Sequence, residues 1–213
     1  MVYEGSKIVE VGEEAALTAK YPQAEKIDAK GGVIMPALIN AHTHIYSALA
    51  RGLSIVGNNP TNFLEVLDGT WWAIDRHLTI VVLTAVGDPV CVFPDGLEAL
   101  FLAVGWCEVT DMLFKNNAKI GEKYFPDTLG VLKAGAAADI IVMDYKPFTP
   151  FSDENIDGHM LFGMTGRQCQ TTIAAGKTLM LDRVLVGIDE EAENAHILEA
   201  AKKLWGDLNH RTY

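Results

Sequence analysis

The sequence predicts a mixed α/β protein with a β-rich region near each end, a mixed α/β region between them, and a final helix. Short apolar runs bounded by turn residues fill residues 2–35 and return after residue 129. Apolar residues recur at helical spacing in parts of the region between. No internal repeat or low-complexity linker interrupts this order. A chain of 213 residues has room for one domain and a small second lobe.

The first β-rich region begins with a predicted hairpin. Residues 2–3 and 7–11 are expected to be strands, and Glu4-Gly5-Ser6 between them is typical of a hairpin turn. Residues 15–20 are expected to form one or two helical turns, which Tyr21-Pro22 ends.

Two extended segments are predicted after this short helix. They cover residues 26–29 and 32–35, and Pro36 closes the second. The run over residues 33–41 is so apolar that we expect a strand buried on both faces.

The middle region is predicted to contain four helices and two buried strands. The helices are expected over residues 46–53, 62–79, 97–104 and 108–125, and Pro126 ends the last of them. Residues 80–106 hold two apolar runs separated by Gly87-Asp88-Pro89, which favours two buried strands.

The second β-rich region holds four predicted strands and is followed by an amphipathic helix. The strands cover residues 140–143, 158–162, 171–174 and 178–181, and the last two flank the turn Ala175-Gly176-Lys177. The helix is expected to begin after Asp189 as its N-cap and to end at Gly206. Its predicted apolar face comprises Ala192, Ala195, Leu198, Ala201 and Trp205.

Composition argues against several classes of partner. The net charge is −11 and the isoelectric point about 4.9, whereas a surface for nucleic acid or anionic membrane needs a basic patch. The amino terminus lacks the pattern of a signal peptide, and no apolar run reaches the roughly 18 residues that span a bilayer. Three cysteines without a CxxC pattern favour a reducing compartment, so we expect a cytoplasmic protein with buried thiols.

His42-Thr43-His44 is the sharpest chemical motif in the chain. On a strand, residues i and i+2 point to the same side, so both imidazoles can converge on one metal ion. Neutral imidazoles suit Zn²⁺ or Fe²⁺, and a catalytic site normally adds a third protein ligand and keeps one position for water. The alternative for so short a motif is a strand end with two partly exposed histidines.

The residues around this motif resemble a known family. MPALINAHTH is similar to the PGxxNxHxH signature of the amidohydrolase superfamily, and HTHIYSALARGL resembles its aminohydrolase/chlorohydrolase branch. WWAIDRHLT and LGVLKAGAAADIIVMD resemble the tryptophan-rich segment and the carboxy-terminal pattern of the same branch. Residues 129–213, which include DGHMLFGMTG, resemble the SsnA-type aminohydrolases.

This resemblance implies a β-sandwich built from both chain ends, with a TIM-type (β/α)8 barrel inserted into it. We therefore expect a composite β-sandwich over residues 1–35 and 129–186, a partial barrel over 36–128, and a C-terminal helix over 187–213. The barrel is expected to be incomplete because a full one takes roughly 200 residues or more. The sequence is interpreted as a family member with an internal deletion and a late start.

The resemblance also implies a hydrolase that acts on a non-peptide C–N or C–Cl bond of a small heterocyclic substrate. One divalent metal, zinc or alternatively iron, would activate a water molecule for the attack. His42 and His44 are predicted metal ligands. Asp95 is the third candidate because VCVFPDGLEAL resembles the family's strand-eight pattern, although Pro94-Asp95-Gly96 also reads as a β-turn. No catalytic general base is identified.

Arg51 is the predicted substrate-binding residue, because it could hold a substrate anion; a salt bridge at a helix end is the alternative. Asp139 is expected to cap the turn into its own strand. Trp71 and Trp72 are expected to pack in a core or under a lid, since adjacent helical residues cannot face the same way.

Three further residues are expected to be structural. His77 reads as a solvated helix residue, Cys107 as a buried thiol, and His159 as a packing residue of the carboxy-terminal sandwich.

Three functions stay open on the sequence alone: an active hydrolase, a non-catalytic remnant of one, and a module that binds a small ligand. We expect a small-molecule substrate, with neither nucleic acid nor membrane as a partner. An incomplete parallel sheet leaves open edges and an uncovered apolar face, so we also expect a homo-oligomer.

Overall fold

The computed structural model describes residues 1–40, 49–53, 59–75 and 110–210, which form a mixed α/β structure as predicted. The described residues fall into two compact units. One contains residues 1–40 and 110–186, and the other contains residues 49–53, 59–75 and 187–210. The two strands and the short helix predicted in residues 80–106 lie outside the described residues. None of the described helices is long and apolar enough to cross a bilayer.

Two antiparallel sheets form the framework of the first unit. Strands β1 (Val2–Glu4) and β2 (Lys7–Glu10) make the predicted hairpin. A five-stranded sheet, in the order β3-β4-β5-β6-β7, comprises β3 (Val33–Pro36), β4 (Ile140–Met143), β5 (Cys169–Ala174), β6 (Lys177–Leu181) and β7 (Val184–Leu185). The pairing of β3 with β4 brings residues from both β-rich regions into one sheet.

Six α-helices and three other helical segments lie in the described residues. The first unit contains α1 (Glu14–Lys20), a π-helical segment (Asp111–Asn116) that continues into α4 (Asn117–Gly121), α5 (Ile156–Phe162) and a 3-10 turn (Gly166–Gln168). The second unit contains α2 (Phe63–Val66), a π-helical segment (Leu67–Trp71), α3 (Trp72–Asp75) and α6 (Glu190–Asn209).

Strand β4 is the centre of the first unit, and all four of its residues are buried. Successive side chains of a strand point to opposite faces, so β4 contributes to two apolar clusters. Ile140 packs with Ile8 of the hairpin, whereas Ile141 and Met143 pack with Met160 of α5. This double burial explains why β4 has no polar residue.

The second unit is held by a small core around α6. Leu49, Ile74, Leu204 and Leu208 are buried together, and the Trp205 Nε1–H donates to the Leu49 carbonyl at 2.9 Å. Trp71 is partly buried against this core, which agrees with its predicted packing role. Trp72 is exposed instead.

Strand β3 corrects the prediction of a strand over residues 33–41 that is buried on both faces. It ends at Pro36, forms one edge of the sheet and leaves Ile34 exposed. Proline has no N–H to donate, so it suits the end of an edge strand. The prediction of an extended strand over residues 26–29 was also wrong: Asp28 accepts a hydrogen bond from the Lys30 N–H at 2.7 Å, and this local turn replaces strand pairing.

Residues 158–162 were predicted as a strand but lie in α5. Met160 of α5 is buried in the cluster of Ile141 and Met143, and Ile156, four residues earlier, packs against the same cluster, which is helical spacing. The predicted segment of residues 158–162 was too short to show this spacing.

The apolar face of α6 agrees with the prediction only in part, and its end differs. The predicted Ala201 and Trp205 pack against the core, but Ala192, Ala195 and Leu198 are exposed. Ile197, Leu204 and Leu208 pack in their place, because these larger side chains bury more apolar area. The helix begins as predicted, with the Asp189 carboxylate accepting from the Ala192 N–H at 3.1 Å. It continues through Gly206 to Asn209 because packing of Leu204 and Leu208 offsets the cost of about 1 kcal/mol for an internal glycine.

Candidate functional site

The predicted metal ligands His42, His44 and Asp95 lie outside the described residues. His77 and Cys107, which were predicted to be structural, lie outside them as well. Among residues 1–40, 49–53, 59–75 and 110–210, no three His, Cys, Asp or Glu side chains are grouped so that they could hold a metal ion. The roles assigned to His42, His44 and Asp95 therefore stay predictions.

The backbone that leads into the histidine motif is held by two elements of the first unit. After β3, the Ala37 N–H donates to the Asp139 carbonyl at 2.9 Å. The Asn117 side-chain amide, at the start of α4, then donates to the Ile39 carbonyl at 2.8 Å. These bonds fix the path of the chain to within three residues of His42.

Arg51 lies in a turn of the second unit with its side chain exposed. The turn begins at Leu49, whose side chain is in the core and whose carbonyl accepts from Trp205. Within the described residues Arg51 forms no ion pair, so the alternative of a helix-end salt bridge is not seen there. Its proposed contact with a substrate anion stays a prediction.

An open cavity of about 530 Å³ lies on the first unit. Residues from the loop after β4, from α5 and from the 3-10 turn line it: Tyr145, Lys146, Pro147, Phe148, Thr149, Asn155, Gly158, His159, Phe162, Gly163 and Gln168. Its volume is within the range of roughly 300–1,000 Å³ that is usual for ligand pockets.

His159 orders one wall of this cavity. Its Nε2 lies 2.9 Å from the Pro150 carbonyl and its Nδ1 lies 2.6 Å from the Tyr145 hydroxyl. Because a carbonyl only accepts, Nε2 carries the hydrogen, and Nδ1 of the neutral ring accepts from the hydroxyl. The ring also packs edge-on against Phe151, with centroids 5.0 Å apart. The prediction that His159 has a packing role is confirmed, and the imidazole also ties the loop to α5.

Gly163 makes the Tyr145 position possible. A Cβ atom at Gly163 would lie 2.2 Å from the Tyr145 hydroxyl oxygen, which is far inside van der Waals contact. Any larger residue would displace the tyrosine and break its hydrogen bond to His159.

Asp139 is a structural residue, as predicted, but it caps a different turn. Its Oδ1 accepts from the Ala175 N–H at 2.6 Å, in the turn that joins β5 to β6. Ala175 and Gly176 have φ of 47° and 74°, so this turn carries two left-handed residues that the carboxylate helps to hold.

Asp144 directly follows β4 and forms ion pairs with two basic side chains, one of which, Lys146, lines the cavity. The Arg183 guanidinium lies 3.1 Å from its carboxylate and the Lys146 ammonium lies 3.4 Å away. Hydrogen bonding to Arg183, and then to Lys146, holds the pKa of Asp144 below its ordinary value of 3.8.

We expect Asp144→Asn to destabilise the protein near neutral pH but not in strong acid. A carboxylate with a lowered folded-state pKa contributes stability above its unfolded pKa, and this contribution is lost as the pH falls through the folded pKa. The difference in unfolding free energy between wild type and variant should therefore shrink to zero well below pH 3.8. Denaturant titrations across the pH range measure it. Glu25→Gln is the matched control, because Glu25 is exposed in the same unit and forms no ion pair within the described residues. A pH-independent difference for Asp144→Asn would contradict the prediction.

This cavity was not predicted from the sequence, although residues 145–151 have an unusual composition. They contain three aromatic side chains and two prolines, with neither strand nor helix periodicity. Such a segment forms no regular element, and its rings must pack locally or stay in water. Closure of the cavity depends on contacts with α5, which had been predicted as a strand.

Comparison with known proteins gives relatives of one chemical class. The chain is 27% identical over 186 residues to the 5-methylthioadenosine/S-adenosylhomocysteine deaminase of Thermococcus onnurineus, an alignment over 86% of this chain. It is 26% identical over 168 residues, 72% of this chain, to the 5'-deoxyadenosine deaminase of Methanosarcina mazei. These relatives point to the aminohydrolase branch of the amidohydrolase superfamily, which the sequence motifs also resemble. A shorter stretch of 52 residues, 24% of this chain, is 50% identical to the 5'-deoxyadenosine deaminase of Methanococcoides burtonii.

The alignments cover only part of each relative. They span 37% of the Thermococcus enzyme, 38% of the Methanosarcina enzyme and 11% of the Methanococcoides enzyme, so this chain corresponds to less than half of each. No family model matches the chain. Among solved structures, the zinc-bound adenosine deaminase of Xanthomonas campestris superposes with a TM-score of 0.40 at 14% identity, over 59% of this chain and 27% of that one.

Proposed function

We propose that the chain acts as a metal-dependent hydrolase on a C–N or C–Cl bond of a small heterocyclic substrate. The observation that carries the proposal is the His42-Thr43-His44 motif in a chain whose relatives are named deaminases. Those names favour a purine nucleoside as the substrate and deamination as the reaction. Arg51 is the proposed contact for a substrate anion.

The proposed donor set fits a zinc or iron(II) ion by its chemistry. His42 and His44 supply two imidazoles and Asp95 a carboxylate, which are ligand types that both metals accept. When bound, such an ion supplies Lewis acidity and a water molecule of lowered pKa. The part of the chain described by the structure contributes the anchoring: Asp139 and Asn117 hold Ala37 and Ile39 in the segment that precedes His42.

We further propose that residues 1–35 and 129–186 form a composite β-sandwich, residues 36–128 a partial barrel, and residues 187–213 a C-terminal helix. The antiparallel pairing of β3 with β4 supports the sandwich, because it joins the two segments in one sheet. The packing of Ile8 on Ile140 and Ile173 supports it as well, since it places the hairpin on this sheet. The buried thiol of Cys169 supports the cytoplasm as the proposed location.

A non-catalytic remnant is the second candidate function. The observation that favours it is the short span of the chain, at most 38% of the relatives named above. Residues that complete catalysis in those relatives can lie in the part without a counterpart here. In that case the histidine motif would persist without turnover.

Metal analysis of the purified chain separates these candidates. We expect about one zinc or iron per wild-type chain by plasma mass spectrometry, and a loss of at least about tenfold in occupancy for His42→Ala and His44→Ala, because each removes one of few ligands. His196→Ala is the matched control, since His196 is an exposed residue of α6 and its loss should leave the metal content unchanged.

Ammonia release from 5'-deoxyadenosine and chloride release from a chlorinated heterocycle then test turnover. Loss of release in His42→Ala, with activity retained in His196→Ala, supports the hydrolase. A metal-loaded chain without either activity supports the remnant. Metal content well below one per chain that neither histidine variant changes would contradict the proposed metal site.

A further inference from the structure

A protruding aromatic ring stands beside the open cavity of the first unit. Phe148 lines the cavity and has a relative exposure of 102%, and Phe162, which also lines it, is 67% exposed. A phenylalanine ring in water forgoes the free energy that its burial would gain. The surface over residues 145–163 therefore combines a projecting apolar side chain with an apolar depression.

The same surface carries charges of both signs. Lys146 lies on the lining segment that includes Phe148. Asp153 and Glu154 are exposed and directly precede Asn155, which belongs to the other lining segment. In the residues for which the structure is described, neither acid forms an ion pair, and Lys146 pairs with Asp144 alone. Among the described side chains, these two acids close to the cavity have no cation partner, and the Lys146 cation lies on the cavity rim.

Three polar side chains of the cavity wall are already engaged within the chain. His159 uses both ring nitrogens, and the Asn155 side chain accepts from the Ser152 N–H and donates to the Pro150 carbonyl. The side-chain Oε1 of Gln168 accepts from the Thr165 N–H. A small-molecule pocket normally presents a few placed polar groups that orient the ligand. This cavity instead offers apolar rings and peripheral charge, as protein interfaces do.

We propose that the surface of residues 145–163 joins two copies of the chain about a two-fold axis. Phe148 of each copy enters the cavity of the other, and Lys146 of each copy faces Asp153 and Glu154 of the other. A two-fold interface uses the same patch on both subunits, so that patch must be complementary to itself. Here one surface provides the ring and the depression, and the cation and the acids, that such an interface requires.

Sedimentation velocity of the full chain over a range of concentrations tests the proposal. Wild type should dimerise, and Phe148→Ala should raise the dissociation constant by at least about 100-fold, because the ring is buried twice in a two-fold interface. Tyr124→Ala is the matched control: Tyr124 is 79% exposed in the same unit but does not line the cavity, so its removal should leave the constant unchanged.

Charge reversal tests the orientation of the two copies. Lys146→Glu should weaken the dimer at least about tenfold, since it sets like charges against each other. Adding Asp153→Lys and Glu154→Lys to that variant should restore it. Lys133→Glu, at an exposed site outside the cavity lining, controls for net charge and should have no effect.

Two results would overturn the proposal. One is a wild-type chain that stays monomeric at all concentrations, which would leave the cavity to a small aromatic ligand or to another protein. The other is an oligomer on which Phe148→Ala and Tyr124→Ala act equally, or whose charge reversal at Lys146 is not restored by reversal at Asp153 and Glu154.

Discussion

Gly176→Ala is expected to destabilise the first unit by about 2–5 kcal/mol. Gly176 has a φ of 74°, and an L-residue in this left-handed region costs about 1–2 kcal/mol. A Cβ atom there would also lie 1.7 Å from the Gly5 carbonyl oxygen, so the β5–β6 turn and the β1–β2 turn would have to separate. Such overpacking adds about 1–3 kcal/mol.

Gly135→Ala is the matched control for this substitution. Gly135 lies in the same unit and has a φ of 85°, but no atom lies within 4 Å of its Cβ position. It should therefore cost only the backbone term of about 1–2 kcal/mol. Guanidinium denaturation followed by circular dichroism measures both variants. Equal losses for Gly176→Ala and Gly135→Ala would show that the close contact of the two turns does not contribute.

Ile141→Ala is expected to cost about 2–5 kcal/mol, because it opens a cavity in the main core of the first unit. Ile141 is only 1% exposed and lies on β4, an interior strand of the sheet between β3 and β5. It packs in one cluster with Met35 of β3 and Met160 of α5. Its loss therefore removes contacts to the other β-rich region and to the helix at once.

Ile34→Ala provides the control, since it deletes the same atoms from the same sheet. Ile34 pairs with Val142 on the edge strand β3 and is 44% exposed. Because much of its side chain is already in water, we expect a loss below about 1 kcal/mol. Denaturant midpoints of the two variants give the comparison, and a loss at Ile34 as large as at Ile141 would contradict the assigned sheet order.

Local sequence signals predicted several elements correctly. These are the hairpin of β1 and β2, the strands β4, β5 and β6, and the cap of α6 at Asp189. Each of them has turn or capping residues at its ends. Errors arose where tertiary packing selects between two apolar patterns. In α6, packing buries Ile197 and Leu204, which were not part of the predicted face. In α5, Met160 packs against the sheet from a helix, where a strand had been predicted.

One part of the candidate site could be predicted from the sequence, and another part could not. The His42-Thr43-His44 motif and its flanking residues indicate a metal-binding aminohydrolase from sequence alone, because two imidazoles at i and i+2 on a strand share one side. The anchoring of Ile39 by Asn117 was not predictable, since the two residues are far apart in the chain and the bond is to a backbone carbonyl that any residue would present.

Sequence by itself determined the resemblance to aminohydrolases, the principal strands of the first unit and the chemistry proposed for the histidine motif. These depend on residue types at fixed spacing, which the chain carries wherever it folds. Tertiary structure alone decided that β3 pairs with β4 at an edge, and that Asp139 holds a turn 36 residues away. It also decided that Tyr145, His159 and Phe148 meet around one cavity. Long-range pairing and packing settle such features, because many partners satisfy the same local pattern and only the assembled core selects one.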